Sequence, residues 1–99
     1  MVIQKYTISW SDRAKLDVKH IYLHLLNKNS KSSSQKIRDE IINAPKTIVF
    51  PEQFQFDEYL VECRRIIVRN YKILYLVQNT TIHIVSIFNS HNHPSKMKA

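Results

Sequence analysis

The residues able to handle phosphate or move protons are basic and gather in the second half of the chain. Arg64, Arg65, Arg69 and Lys72 stand close together, and His91, His93 and Lys96 lie near the C-terminal end. Fixed cations stabilise charge developing on a phosphorus centre, and an imidazole, which titrates near neutrality, suits proton transfer. Arg64 and Arg65 are neighbours. On a strand they point to opposite faces, so only one of them can serve a given site.

Other arrangements carry less. His20 and His24 stand at helical i, i+4 spacing, which can chelate zinc, but no third ligand is evident and no metal site is expected. The string His91-Asn92-His93 spells the name of a nuclease motif whose residues are in fact scattered, so it has no meaning here. Lys28, Lys31 and Lys36 form a basic region best read as a solvated face. Cys63 is the lone cysteine and precedes an apolar run, which marks a packing residue rather than a nucleophile. With no glycine in the chain, phosphate-cradling glycine loops and dinucleotide-binding turns are ruled out. No cofactor is implied.

The chain has 99 residues, and its expected organisation is one domain over 1–99 with a tail from about residue 90. Hydrophobic residues make up 43% and charged residues 23%, a balance that argues against disorder. The net charge is +7 and the pI about 9.7, which points to nucleic acid (the ribosome included) or an acidic protein as partner. The lone cysteine fits a reducing cytoplasm. Neither a signal peptide nor an apolar run near membrane-spanning length is expected.

These residues need elements to position them. Residues 2–9 are rich in β-formers and read as a strand. Ser11 is a good N-cap, with Trp10 before it as an apolar staple. Ala14, Val18, Ile21, Tyr22 and Leu25 then recur at helical spacing, with Lys15, Asp17 and Lys19 on other faces, and the helix ends near Asn27. After a polar loop over 27–34, a second helix starts near Ser32–Ser34 and buries Ile37, Ile41 and Ala44, with Ile48 if it continues. Pro45 ends or kinks this helix near Asn43, and Pro51 stops it. Residues 54–60 suggest a short irregular strand. Residues 64–69 (RRIIVR), 71–77 (YKILYLV) and 81–88 (TIHIVSIF) read as an antiparallel meander, broken at Asn70 and Asn79-Thr80. Tyr71 and Tyr75 should share a face, and His83 reads as structural. The expected fold class is α+β: an N-terminal strand, a helical hairpin, then the meander. The hairpin covers one face of the sheet and the other stays open to water or a partner.

Several of these stretches together resemble the RelE/ParE superfamily of toxins from type II toxin–antitoxin systems. The opening strand ending in Trp10-Ser11, with Ala14, Asp17 and Ile21 downstream, is similar to the start of these toxins. Val49-Phe50-Pro51 resembles their apolar-apolar-Pro helix end. Arg64-Arg65-Ile66-Ile67-Val68 followed by Tyr71-Lys72-Ile73-Leu74-Tyr75 resembles the family's "RR-apolar" strand and its "Y-[KR]-apolar-apolar-Y" strand. Residues 84–88 and the exit Asn89-Ser90-His91-Asn92-His93-Pro94 are similar to the closing motif of one large subgroup. The resemblance spans nearly the whole chain, and the order and spacing of the pieces are more specific than any one of them. It implies a four- or five-stranded antiparallel sheet under a helical hairpin. It also implies a cognate acidic antitoxin, partly disordered alone, that wraps the toxin.

The superfamily divides by target. RelE-like members enter the ribosomal decoding site and cleave mRNA, whereas ParE-like members lack the ribonuclease residues and poison DNA gyrase. Cleavage of RNA without metal needs a base for the 2′-hydroxyl, an acid for the leaving 5′-oxygen and cations for the phosphate. By resemblance, Lys72 holds the position that contacts the scissile phosphate. Arg65, or else Arg64, is its basic companion on the preceding strand, and His91 stands within one residue of the group acting on the leaving oxygen. Arg64, Arg69, His93 and Lys96 would contact RNA or a partner. The departures are that arginine is usual at His91 in the subgroup with this closing motif, and that no C-terminal helix is visible. Against these roles, Lys72 and Arg69 also read as plain exposed strand residues, and one of Arg64 and Arg65 as a salt-bridge partner. Three readings follow: a ribosome-dependent mRNA endonuclease, a non-enzymatic gyrase inhibitor, and an inactive antitoxin-binding module. The sequence tips the balance to the first, because the basic strand residues, Lys72 and His91 could converge on one face.

Overall fold

The structure is a computed structural model and describes residues 6–90. Along the chain run β1 (Thr7–Trp10), α1 (Asp12–Leu26), α2 (Lys31–Asn43), short 3-10 turns at Ala44–Thr47 and Pro51–Gln53, then β2 (Arg64–Val68), β3 (Tyr71–Gln78) and β4 (Thr81–Asn89). Among the described residues the four strands form one sheet in the order β1-β4-β3-β2. The α+β class and the element order agree with the sequence reading. The sheet is mixed, however, rather than antiparallel throughout. β2, β3 and β4 form the meander, while β1 lies parallel to β4, with Ile8 beside Ile82 and Trp10 beside Ile84. A parallel neighbour needs a long crossover, and here everything from α1 to β3 intervenes.

Ser11 starts α1 as expected. Its hydroxyl accepts the Ala14 N–H at 3.0 Å and donates to the Val85 carbonyl at 2.8 Å, so one side chain caps the helix and ties it to the sheet. Val85 is the residue left over where the β3–β4 register shifts, between the pairs Leu74–Ser86 and Tyr75–Ile84. Such a bulge leaves a backbone group that needs a partner, and Ser11 supplies it. α1 ends at Asn27 as read, but with ordinary right-handed backbone there (φ −74°).

α2 begins earlier than expected. Ser30 is its N-cap, accepting the Ser33 N–H at 3.1 Å, and the serine run therefore forms the first turn of the helix rather than a loop. Ser34 is buried, and its hydroxyl is satisfied by the Ser30 carbonyl at 2.9 Å. Pro45 ends the α-helix at Asn43, and the chain tightens into the 3-10 turn.

The two hairpin loops are two residues long, at 69–70 and 79–80, as the register pairs Val68 with Tyr71 and Gln78 with Thr81. The left-handed positions are Arg69 (φ 55°) and Asn79 (φ 57°). Asn79 is the type of residue expected there in a chain without glycine. At the first loop Arg69 takes the position, not Asn70. The Arg69 guanidinium forms a paired hydrogen bond with the Glu40 carboxylate at 2.8 and 2.9 Å, which anchors the loop to α2.

The main core lies between the helices and one sheet face. Ala14, Leu25, Ile37, Ile41 and Ile48 pack against Ile66, Tyr71, Ile73, Tyr75, Ile82, Ile84 and Ile87. Tyr71 and Tyr75 share that face, as their spacing predicts. The second face is left open only in part, with Ile67 and Leu76 exposed on it. A strap over residues 54–63 crosses it and packs Leu60 and Cys63 on Leu74, Val85 and Phe88. This strap replaces the irregular strand expected at 54–60. Its only ladder contact among the described residues is a single bridge between Phe56 and Arg64.

Candidate functional site

The strap is held by Asp57, whose side chain is fully buried. Asp57 Oδ2 accepts the N–H groups of Tyr59 (3.0 Å) and Leu60 (2.9 Å), and Oδ1 accepts from Lys72 Nζ at 3.0 Å. The Asp57 backbone N–H donates to the Cys63 carbonyl, and the Cys63 N–H to the Leu60 carbonyl, both at 2.8 Å. The segment is thus a closed turn around one carboxylate. Burial pushes the Asp57 carboxyl up, but the Leu60 amide, Lys72 and the Tyr59 amide together outweigh it and hold the group below its ordinary value.

Lys72 arrives from the middle of the sheet. β3 places alternate side chains on opposite faces, so Lys72 and Leu74 point away from the helices, opposite Phe88 and Ser86 of β4. The ammonium lies 5.5 Å from the Tyr59 ring centre and 5.8 Å from that of Phe88, and the residue is only 7% exposed. It is therefore neither an exposed strand residue nor a cation presented at the surface. Burying an ammonium is tolerable only with a partner, and Asp57 is that partner.

Arg65 shares the second face with Lys72. Its Nη1 lies 3.8 Å from Asp57 and 3.6 Å from Glu58, and that nitrogen is buried without a hydrogen bond. Arg64 points the other way. Its guanidinium stacks 3.9 Å over the Phe56 ring, and Nη1 donates to the Phe54 carbonyl at 2.7 Å. Arg69 lies in the loop beyond β2 and is paired with Glu40. Lys72 and Arg65 are therefore brought together around Asp57, while Arg64 and Arg69 are directed elsewhere by acceptors of their own. His91, His93 and Lys96 lie outside the described residues.

Cys63 is buried, and its thiol is pushed up by that burial, with Glu62 and Asp57 adding to the effect. It stays protonated and acts in packing. Burial likewise raises the phenols of Tyr71 and Tyr75, and the Tyr75 hydroxyl donates to the Pro51 carbonyl at 3.2 Å. His83 is half-buried on the second face.

Two carboxylates escaped sequence reasoning. Periodicity places Asp17 on a different helix face from the apolar stripe, yet it is buried. It accepts the Ile87 N–H at 2.9 Å and an ion pair from Arg13 at 3.1 Å, capturing a backbone donor near the end of β4. Asp57 sat in a stretch read as a strand. The available signal was the residue type, since an aspartate side chain can accept from backbone N–H groups two and three residues on, in competition with strand pairing. Among the described residues no group of three or more His, Cys, Asp or Glu is placed to hold a metal, and no described helix is long and apolar enough to cross a membrane.

Helical hairpin, mixed four-stranded sheet and strapped second face define a small basic α+β domain. Comparison with solved structures points the same way. The chain is similar in fold to a structure of the chromosomal ParDE toxin–antitoxin system from P. aeruginosa, with TM-score 0.74, 17% identity, and coverage of 87% of this chain and 97% of that one. It is also similar to the RelBE2 toxin–antitoxin complex from Mycobacterium tuberculosis, with TM-score 0.65, 13% identity, and coverage of 92% and 98%. At such identities the likeness is one of fold. No curated protein sequence gives a significant match. The profile of the family described as "ParE toxin of type II toxin-antitoxin system, parDE" matches residues 8–94. The chain belongs to this ParE toxin family.

Proposed function

We propose that this toxin arrests growth by binding and inhibiting DNA gyrase, without cutting RNA, and that a cognate acidic antitoxin neutralises it. The observation behind this reading is the Lys72–Asp57 pair. A ribonuclease needs a cation facing the scissile phosphate, and the one at the matching strand position is covered by the strap and spent on an internal carboxylate. Arg65, its companion, is turned toward the same carboxylate. The choice of gyrase rests on likeness to ParE toxins, which reverses the balance struck from sequence.

The antitoxin follows from the same family and from charge. A surface carrying +7 attracts an acidic chain, and a segment disordered alone can fold onto it. The toxin and its antitoxin would act in the cytoplasm, where gyrase works.

The test is to induce the chain without its antitoxin and follow incorporation of labelled thymidine and labelled methionine over the first minutes. DNA synthesis stopping before protein synthesis is the expected result. Protein synthesis stopping first would return the assignment to ribosome-linked cleavage. Unimpaired growth at strong expression would reduce the chain to an antitoxin-binding module.

A further inference from the structure

The sequence alone shows no third ligand for the pair His20 and His24, but the fold brings further imidazoles within reach. Both residues are exposed in the second half of α1, four positions apart and so on one helix face. Among the described residues neither imidazole takes part in a hydrogen bond or an ion pair. They line a cleft of about 360 Å³ together with the end of β4, Asn89 included. Asn89 is the last residue of β4, and the chain beyond it carries His91 and His93, two and four residues on. At roughly 3.5 Å of extended chain per residue, two residues reach about 7 Å and four about 14 Å. The other possible donors in the cleft are committed. Asp17 accepts from the Ile87 N–H and from Arg13, and burial keeps the Tyr71 phenol protonated.

We propose that His20, His24, His91 and His93 form a site for a divalent transition-metal ion of the zinc type, which fastens the segment after β4 to α1. Two histidines at i and i+4 on a helix can close on one zinc ion, as they do in helical metalloprotease motifs. Their Cβ atoms stand about 5–6 Å apart, a span that Zn–N bonds of about 2.0–2.1 Å can bridge. Two ligands leave the ion half-coordinated, and zinc prefers a tetrahedron of four. The two histidines beyond Asn89 complete that number. A set made only of imidazoles suits zinc, copper or nickel, whereas magnesium and calcium take oxygen. The positive charge of the chain does not bar the site, because the charged side chains lining the cleft, Arg13 and Asp17, offset each other across 3.1 Å. His83 takes no part, since it stands beside Leu76 on the second face of the sheet. Nothing in the proposal depends on gyrase or on the antitoxin.

The probe is the zinc ion itself, titrated at neutral pH into the full chain, free of any affinity tag, with a zinc-chelating dye as competitor. One ion per chain is expected. Losing a partner in the outer shell of a metal site alone costs about 10–100-fold in affinity, so losing two ligands should cost at least about a hundredfold. His20→Gln/His24→Gln and His91→Gln/His93→Gln should each show that loss, while His83→Gln binds like the wild type. Cobalt(II) in place of zinc should give the visible absorption of a tetrahedral nitrogen site, and either double variant should lose it. Zinc held equally well by the wild type and by His91→Gln/His93→Gln would be held by α1 alone, and overturns the four-histidine site. Binding that survives His20→Gln/His24→Gln, or a wild type that takes up no zinc, overturns it as well.

Discussion

Lys72 Nζ lies 3.0 Å from Asp57 Oδ1, with both residues buried beneath a strap that the same aspartate closes. The pair joins a side chain from the middle of the sheet to a turn fifteen residues earlier in the chain. It fastens the strap to the middle of the sheet.

Removing one partner should harm the protein more than removing both. Asp57→Asn leaves Lys72 buried without a counter-charge and Arg65 with Glu58 alone, and a loss of about 3–5 kcal/mol is expected. Lys72→Met strands the carboxylate and should cost about 2–4 kcal/mol, with the Tyr59 and Leu60 amides sparing part of the penalty. The double variant should lie well short of the sum. Urea unfolding of all four proteins checks this as a double-mutant cycle, and strictly additive losses would show that the pair is not coupled.

The same carboxylate sets a pH dependence. Asp57 holds its proton less tightly in the folded chain than in the unfolded one. The stability it contributes is complete above the unfolded carboxyl value, about 3.9, and drains away as pH falls through the lower folded value. Glu40 acts in the same direction, through the hydrogen bond from Arg69. Thermal melts from pH 7 to 2.5 should show the gap between wild type and Asp57→Asn closing as the pH drops below about 4. A gap that stays constant to pH 2.5 would contradict the assignment.

Ser11 does two jobs with one hydroxyl. Ser11→Ala removes the cap on Ala14 and leaves the Val85 carbonyl at the bulge without its donor. The expected loss is about 1–2 kcal/mol, against about 1 for a cap alone. Amide exchange should also quicken in the first turn of α1. Unchanged exchange there would show that the cap is dispensable.

How much of this was legible in the sequence depends on where the information lay. Ser11, Asn27 and Pro45 announce helix boundaries through local chemistry, and the structure keeps all three. The meander and the shared face of Tyr71 and Tyr75 follow from a period of two. Contacts made by folding were harder to see. The burial of Asp17 depends on a backbone amide seventy residues away, and that of Lys72 on a strap whose polar residues resemble an irregular strand. Periodicity places an aspartate on a helix face, but it cannot report that a strand end supplies a donor there. The left-handed position at the first loop is Arg69, and its pairing with Glu40 is likewise a tertiary fact.

Cys63 offers a check on the packing of the strap. Its thiol is buried and raised, so reaction with an aromatic disulfide reagent at pH 8 should require opening of the strap. Labelling should be slow in the wild type and faster in Asp57→Asn. Fast labelling of the native wild type would mean that the strap does not cover this face in solution.

The most direct test of the central claim is a supercoiling assay with purified gyrase and purified toxin, run beside a ribosome-dependent mRNA cleavage assay. The account predicts that the wild-type chain inhibits supercoiling, that antitoxin reverses the inhibition, and that mRNA on the ribosome stays intact. Cleaved mRNA with gyrase unaffected would contradict it, and would mean that the Lys72–Asp57 pair opens when the toxin meets its target.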